Sequence, residues 1–210
     1  MSNRQKIGLR KAKPPTTRAP GRLRRQKLLD AARALLIEQP IEDISFRDIA
    51  KRADVPEGSA YHFFANRFDL FAELACELND EFVAAHHKPV PASKRKTWGQ
   101  LAAHMVDVGA CVYADNPAAR QLFIGGKTPP EVKQAERIND RDVVDAMHDS
   151  FARYFDIAET QKMRDAFYYF IEITDLLFSL SMVEHGKITP GMLKEAKRAG
   201  VAYLKTYENN

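Results

Sequence analysis

Residues 45–64 read SFRDIAKRADVPEGSAYHFF, and this stretch predicts two short helices joined by a tight turn. Ser45 can accept a hydrogen bond from the amide of Asp48 while the Asp48 carboxylate reaches back, which is the capping box that begins a helix. This first helix covers residues 46–52, and Pro56 suits the first turn of a second helix over residues 56–63. Ala53, Asp54 and Val55 form the tight turn between them.

The two short helices have an apolar side and a polar side. Phe46, Ile49 and Ala50 give the first helix an apolar face, and Ala60 and Phe63 can fill the space between the helices. The polar side of the second helix carries hydrogen-bonding groups: Glu57, Gly58, Ser59, Tyr61 and His62. A helix is thin enough to enter the major groove of DNA, which is about 12 Å wide. The stretch therefore predicts a helix-turn-helix unit whose second helix reads base edges.

The distribution of charge supports a polyanionic partner for the N-terminal third. The whole chain has 32 Lys and Arg against 28 Asp and Glu, a net charge of +4. Residues 1–70 carry a net +7, whereas residues 71–210 carry a net −3, and residues 1–27 hold ten basic residues and no acid. This asymmetry is typical of a chain whose N-terminal part meets nucleic acid.

Neither the polar N-terminal stretch nor the most apolar stretch of the chain predicts a membrane span, so we expect a cytoplasmic protein. Residues 1–21 are rich in Pro, Lys and Arg and contain no apolar run of signal-peptide length, so we expect a disordered basic arm there. The most apolar later stretch, residues 166–183, is interrupted by Glu172 and Asp175, which a bilayer core would disfavour.

Helical periodicity dominates the rest of the chain and predicts an all-α fold. A proline-rich boundary, KPVPAS, occupies residues 88–93. The helices that we expect outside the helix-turn-helix cover about residues 22–38, 66–87, 94–114, 116–123, 131–155, 159–184 and 190–207. Asn66 is the expected N-cap of the helix at 66–87. Gly186 is the expected C-cap of the helix at 159–184, and Thr189 starts the last helix.

The stretch over residues 45–70 resembles the TetR family of bacterial transcriptional regulators, and the resemblance is specific over residues 22–82. It implies an N-terminal three-helix helix-turn-helix DNA-binding domain over 22–82. A C-terminal helical ligand-binding and dimerisation domain would follow over 83–210. The chain departs from the family pattern at Asp54, where Gly is usual, at Arg67, where Lys is usual, and at Glu57, which is often basic. The usual Gly implies a left-handed or near-turn conformation at Asp54, which Asp tolerates better than most residues.

The resemblance assigns DNA contacts by position. Ser45, Arg47, Arg67 and the Tyr61 hydroxyl resemble phosphate contacts, and the groove face is implied around Gly58, Ser59 and His62. Glu57 could accept from cytosine N4. The full expected set is Arg22, Arg24, Arg25, Ser45, Arg47, Glu57, Gly58, Ser59, Tyr61, His62 and Arg67.

The C-terminal part is expected to form a homodimer and to bind a small molecule. The helix at 159–184 is apolar nearly all round and so must bury two faces, and the resemblance pairs it and the helix at 190–207 with their copies. A homodimer implies a palindromic double-stranded DNA operator. The residues that we expect around a small-molecule effector are Trp98, Leu101, His104, Met105, Val108, Phe123, Phe151, Phe155, Phe167, Tyr168, Glu172 and Asp175, with Val112, Tyr113 and Phe170 as further wall candidates.

These features favour a transcriptional regulator, most simply a repressor released from its operator by the effector. The alternative is a ligand-independent architectural or protein-interaction factor with the same DNA reader, which a fully packed core would favour. We do not expect an enzyme, because the sequence contains no clear nucleophile–base pair or metal-ligand spacing. We expect no cofactor, and the two cysteines exclude a disulfide framework.

Overall fold

The computed structural model describes residues 19–208, apart from the side chains at positions 135, 136, 138 and 139. The described residues contain helices and no β-strand, so the all-α prediction is confirmed. The α-helices are α1 (Ala19–Glu38), α2 (Phe46–Arg52), α3 (Glu57–Ala60), α4 (Arg67–His86), α5 (Trp98–Asp115), α6 (Pro117–Ala119), α7 (Pro130–Ala152), α8 (Gln161–His185) and α9 (Pro190–Lys205). Residues 1–18 of the predicted basic arm lie outside the described residues.

Several helix boundaries differ from the sequence prediction. Helix α5 begins at Trp98 rather than near residue 94, because the Thr97 side chain caps it by accepting from the Gln100 amide. The helix expected at 116–123 is the short α6 followed by a π-helical turn, and α7 and α9 end at Ala152 and Lys205 rather than near residues 155 and 207. Helix α1 begins at Ala19 rather than near residue 22, because Pro20 is well tolerated in a first helical turn. Helix α3 ends at Ala60 rather than at residue 63. The amides of His62 and Phe63 bond to the carbonyls of Ser59 and Ala60, so the chain tightens into turns there.

The local capping predictions are confirmed. Ser45 and Asp48 form both halves of the capping box at the start of α2. The Asn66 side chain accepts from the amides of Phe68 and Asp69 and caps α4. Asp54 has φ of +52°, the left-handed conformation expected in the turn between α2 and α3.

Helices α1 to α3 and the first half of α4 form the N-terminal head. Its core contains Leu28, Leu29, Leu36, Ile44, Ile49 and Phe71, all of them buried. The α1–α4 contact is also bridged by ion pairs from Arg25 to Glu73 and from Arg33 to Glu81. Because α4 supplies part of this core and then continues onward, the head and the rest of the protein share one helix.

The C-terminal body is a bundle in which α4 packs against α7, and α9 packs against α5 and α8. Helix α8 ends at Gly186, whose φ of +67° provides the expected left-handed cap. Helices α8 and α9 approach closely at Gly200, where a Cβ atom would lie 2.6 Å from the Phe170 ring. A residue larger than glycine at position 200 would therefore push the two helices apart.

A five-residue π-helical segment, Arg120–Ile124, joins the head to the body. The Gln121 amide nitrogen donates to the carbonyls of Leu36 and Gln39, and its oxygen accepts from the Ile41 amide at 2.8 Å. One body side chain thus satisfies three backbone groups where α1 ends. Buried backbone groups need such partners, so Gln121 holds the end of α1 in place.

Candidate functional site

The exposed end of α3 presents a compact polar surface. Glu57, Gly58 and His62 are exposed, Ser59 is half-buried, and Tyr61 retains 46% of its accessible surface. The Tyr61 ring lies 4.7 Å from the Phe46 ring, centroid to centroid, and this contact orients the tyrosine. Exposed or half-exposed donors and acceptors therefore lie within six consecutive residues of the head, and their contact with DNA stays a prediction.

The start of α2 lies on the same head. Arg47 is exposed, whereas the Ser45 hydroxyl donates to the Asp48 carboxylate and accepts from the Asp48 amide. Hydrogen bonds from the Ser45 side chain and amide lower the pKa of Asp48, so this carboxylate keeps its negative charge. The Ser45 hydroxyl is thus used within the cap, whereas the Arg47 side chain is exposed at this helix start.

Two expected phosphate contacts have internal partners. The Arg67 guanidinium donates to the carbonyls of Glu42 and Ile44 and lies 4.9 Å from the Phe68 ring centroid. The Arg25 guanidinium pairs with Glu73 over the Phe64 ring, and burial lowers its pKa. Both side chains lie along apolar rings with acceptors nearby, so they brace the head instead of pointing to solvent. Arg22 and Arg24, in contrast, are exposed on α1.

A cavity lies in the body between α4, α5, α7, α8 and the π-helical segment. Its volume is about 40 Å³. Aromatic rings line it from four elements: Phe82, Tyr113, Phe123, Phe170 and Phe178. Polar groups also line it, namely Asn79, His86, Asp140, Thr174 and Asp175. The cavity combines an apolar wall with a few polar groups, which is the usual composition of a small-molecule site.

The expected effector residues divide into three groups in the structure. Met105, Phe123 and Asp175 line the cavity, as do the further candidates Tyr113 and Phe170. His104 and Val108 instead line a shallow surface groove, into which Met105 also reaches. The remaining members, Trp98, Leu101, Phe151, Phe155, Phe167, Tyr168 and Glu172, lie outside the cavity lining.

Packing explains why most of the expected aromatic residues lie away from the cavity. The Trp98 ring stacks edge-on against Phe151 at 4.9 Å, and Phe151 meets Phe167 at 5.0 Å. This cluster is solid core between α5, α7 and α8. Tyr168 donates to Glu172 at 2.7 Å within α8, and Glu172 also pairs with Arg137. Sequence spacing cannot tell which of two apolar faces of a helix borders a cavity. Tertiary packing places one face in the solid core and the other at the cavity.

The cavity carries two carboxyl groups with unusual titration. Asp140 is 9% exposed, and burial followed by the nearby Asp175 and Glu172 charges raises its pKa to about 7. Burial also raises the pKa of Asp175 to about 6, although the Tyr113 hydroxyl donates to this carboxylate at 2.8 Å and opposes the shift. Burying an ionised carboxylate is costly, so both groups hold protons more tightly than exposed acids.

His86 is the third titratable group at the cavity. It is 2% exposed, and burial lowers its pKa to about 4, so the imidazole is neutral. Its Nδ1 lies 2.8 Å from the Phe82 carbonyl oxygen. Its Nε2 has no hydrogen-bond partner among the described residues.

The sequence reasoning missed four polar lining residues: Asn79, His86, Asp140 and Thr174. Each lies on a helix face that is otherwise apolar, as Asn79 does between Leu78 and Phe82. A polar residue within an apolar face was therefore the available signal, and it could have been weighed more heavily than aromatic content.

A helix-turn-helix head on a helical body with an internal cavity is the architecture of a ligand-binding DNA regulator. A family model described as "Bacterial regulatory proteins, tetR family" matches residues 28–74. A second, described as "Tetracyclin repressor-like, C-terminal domain", matches residues 96–207, which is more than half of the chain. The chain therefore belongs to the TetR family of transcriptional regulators, with the family's DNA-binding helix-turn-helix and ligand-binding domain.

Solved structures of family members share this fold. A TetR-family transcriptional regulator from Streptomyces coelicolor is 21% identical, with a TM-score of 0.68, over 88% of this chain and 99% of that one. A TetR transcriptional regulator from Rhodococcus sp. RHA1 is 18% identical, with a TM-score of 0.68, over 88% and 97%. The multidrug binding protein EbrR, complexed with imidazole, is 21% identical, with a TM-score of 0.57, over 86% and 94%. No curated protein matches the sequence.

Proposed function

We propose that this chain is a homodimeric repressor that leaves a palindromic operator when a small molecule enters the body cavity. The observation that carries the proposal is the path of α4. Arg67 at its first position is bonded to the loop before α2, whereas Asn79, Phe82 and His86 near its other end line the cavity. A ligand that displaces this cavity wall would also move the head.

The small size of the cavity supports this coupling. A volume of about 40 Å³ has room for about three water molecules. Typical ligand pockets are about 300–1,000 Å³. An effector of ordinary size would therefore have to separate the surrounding helices, including α4, when it binds. The cavity in this structure would then correspond to the closed, ligand-free state.

On the DNA side, we assign the base edges to α3 and the phosphates to the helix starts. Glu57, Gly58, Ser59, Tyr61 and His62 would face the major groove. Arg22, Arg24 and Arg47 would bind phosphates, where Arg can form two parallel hydrogen bonds. Two such heads would have to meet half-sites about 34–36 Å apart.

The surface of α8 supports a dimer. Tyr169, Leu176, Leu180 and Val183 are exposed on this helix, with Leu176 at 70% and Val183 at 67%. By length and composition alone α8 could cross a membrane, a property shared by core helices of soluble proteins. An apolar stripe of this kind is typical of a protein–protein contact. We therefore propose that α8 and α9 pair with their copies in the cytoplasm, where a DNA-binding regulator acts.

The same small cavity also favours a second candidate function. A core with room for only a few water molecules is what a ligand-independent DNA-binding factor would have, with a second protein as its regulator. The two candidates differ in whether any small molecule changes the affinity for DNA.

The test begins with selection of bound sites from random DNA, followed by fluorescence anisotropy on the selected operator. We expect one palindromic consensus and a compound that raises the Kd for it. As a matched control, a Val143→Trp variant, which fills the cavity lining, should bind the operator but not respond to the compound. If no compound in a chemically diverse set changes the Kd, ligand release is wrong and the second candidate is favoured.

A further inference from the structure

Several polar groups of the body cavity can accept hydrogen bonds. The Thr174 hydroxyl donates to the Phe170 and Ile171 carbonyls of its own helix, so its remaining capacity is to accept. The Tyr113 hydroxyl donates to Asp175.

The tautomer of His86 follows from its contacts. A carbonyl oxygen can only accept, so the Nδ1 atom that lies 2.8 Å from the Phe82 carbonyl must carry the proton. The imidazole is neutral, which leaves Nε2 as a bare lone pair. This nitrogen is fully buried and has no hydrogen-bond partner within the described part of the chain, and the Met105 backbone also lies close to the imidazole. His86 is therefore a neutral part of the cavity wall and adds no positive charge to it.

The two carboxyl groups lack enough donors of their own. Asp175 receives one hydrogen bond, from Tyr113. No hydrogen bond contributes to the pKa of Asp140, which lies on α7. The charges of Asp175 and Glu172 raise this pKa. The nearest cation, Lys133, already donates to the Phe123 carbonyl. The cavity lining therefore carries negative charge and little positive charge.

Aromatic rings surround these acceptors. The Phe82 ring lies 4.9 Å from the Tyr113 ring and 5.7 Å from the Phe123 ring, and Tyr113 lies 6.0 Å from Phe178. The faces of such rings attract cations, particularly where water is excluded. Carboxyl groups and aromatic faces around one cavity both favour a cationic ligand.

We propose that this cavity binds a protonated amine, whose N–H groups donate to Asp140 and Asp175. The proposal deepens the proposed function, because it rests on the cavity being the effector site and names the chemical class of the effector. An anion would meet like charge there, and a neutral apolar molecule would give the two carboxyl groups no further donors.

The test compares ligands that differ in charge at matched shape. The probes are methylammonium against methanol, and benzylammonium against benzyl alcohol and benzoate, measured by isothermal titration calorimetry on the full chain. We expect at least one ammonium ion to bind about tenfold or more tightly than its alcohol, as a charge-assisted hydrogen bond predicts. Equal or tighter binding of the alcohols or of benzoate overturns the proposal, as does failure of both ammonium ions to bind.

Variants connect the binding to the cavity. Asp140→Asn keeps the shape of the side chain and removes its charge, so it should weaken ammonium binding about tenfold and leave alcohol binding unchanged. The matched control is Asp142→Asn, the same change at an exposed position of the same helix, which should bind like the parent. Retained ammonium affinity in Asp140→Asn would show that the cavity is not the site.

The outcomes separate this proposal from the proposed function. If an ammonium ion binds in an Asp140-dependent way but the Kd for the operator is unchanged, the cation site stands and effector release fails. If a neutral or anionic compound releases the operator and the ammonium ions do not bind, the repressor function stands and the cation site fails.

Discussion

Asp54 adopts a strained backbone conformation in the turn between α2 and α3. Its φ of +52° lies in the left-handed region, where a Cβ atom is strained and glycine is not. The family pattern has glycine at this turn, and here Asp54 itself adopts the left-handed conformation. Aspartate tolerates this conformation better than most residues because its short side chain can bond locally.

We predict that Asp54→Gly will be more stable than Asp54→Ala by about 1 kcal/mol, which is the cost of a Cβ atom in the left-handed conformation. The Ala variant is the matched control because it also removes the carboxylate. Chemical denaturation of both variants measures the difference. Equal midpoints and slopes would mean that the turn relaxes out of the left-handed conformation at little cost.

Asp140 makes stability depend on pH. Its pKa is about 7 in the folded chain, against about 4 in an unfolded chain. Burial is the main cause, Asp175 and Glu172 on α8 raise the pKa further, and Lys133 and Arg137 on α7 lower it. The folded state therefore holds a proton that the unfolded state releases, so this group destabilises the fold as the pH rises from about 4 to about 7.

We predict that Asp140→Asn will be more stable than the parent at pH 8, by on the order of 2 kcal/mol, and that the difference will shrink towards pH 4. His86, with a pKa of about 4, contributes the opposite slope between about pH 4 and 6.5. It is present in both proteins and cancels in the comparison. Thermal unfolding across this pH range, with Asp142→Asn as control, measures the effect, and a constant difference at all pH values would contradict it.

Among the helices, the π-helical segment 120–124 is the element whose role depends most on long-range contacts. Gln121 bonds three backbone groups at the end of α1, and Phe123 from the same segment lines the cavity. The segment thus touches the head with one side chain and the cavity with another. It offers a second route, besides α4, by which a change in the cavity could reach the head.

We predict that Gln121→Ala will destabilise the protein by about 2 kcal/mol, because buried backbone groups lose their partners. The Ile41 amide should also lose protection against hydrogen exchange, since the Gln121 oxygen is its acceptor. Gln134→Ala, an exposed glutamine on α7, is the control. Unchanged exchange at Ile41 would show that water or another group replaces the glutamine without cost.

Helix α2 bears the charge that we assign to phosphate. Arg47 is exposed at its start, and α2 also carries Lys51 and Arg52, of which Arg52 pairs with Glu38. Arg25 and Arg67 are bonded within the head, and their contact with phosphate stays a prediction.

We predict that Arg47→Ala will weaken binding to all DNA sequences and reduce the slope of log K against log salt by about 1. Arg141→Ala, an exposed arginine of the body, should leave the slope unchanged. Anisotropy titrations over a range of salt concentrations measure both. A parent-like slope for Arg47→Ala would remove this residue from the phosphate contacts.

For the whole molecule, the exposed stripe on α8 predicts association. Leu176 and Val183 would be among the most exposed apolar side chains of a monomer. Removing such surface from water contributes about 25 cal/mol per Å², so a symmetric contact through two copies of α8 would be stabilising.

We predict that Leu176→Glu combined with Val183→Glu will convert a dimer to a monomer in sedimentation velocity. It should also abolish cooperative binding to a full operator while weak binding to a half-site persists. Ile37→Glu, a similarly exposed apolar position on α1 of the head, is the matched control and should remain dimeric. A dimeric double variant would locate the interface elsewhere.

The sequence by itself determined the features that depend on neighbours along the chain. The capping box of Ser45 and Asp48, the left-handed turn at Asp54 and the Gly186 cap are each settled by a few adjacent residues. Helical periodicity was sufficient to predict the all-α class. The motif over residues 45–70 was sufficient to indicate the family, because local propensity and sequence pattern agree within it.

Only the tertiary structure decided which side chains serve the site. Gln121 meets the carbonyl of Leu36 across 85 residues of chain, and Arg25 meets Glu73 across 48. Periodicity marks a residue as buried but does not say whether it faces a neighbouring helix or an empty space. Trp98 and Phe151 therefore became solid core, while Asp140 and His86 became the polar wall of a cavity. The free energy of each placement depends on partners that folding brings together, and these are not encoded at any fixed spacing.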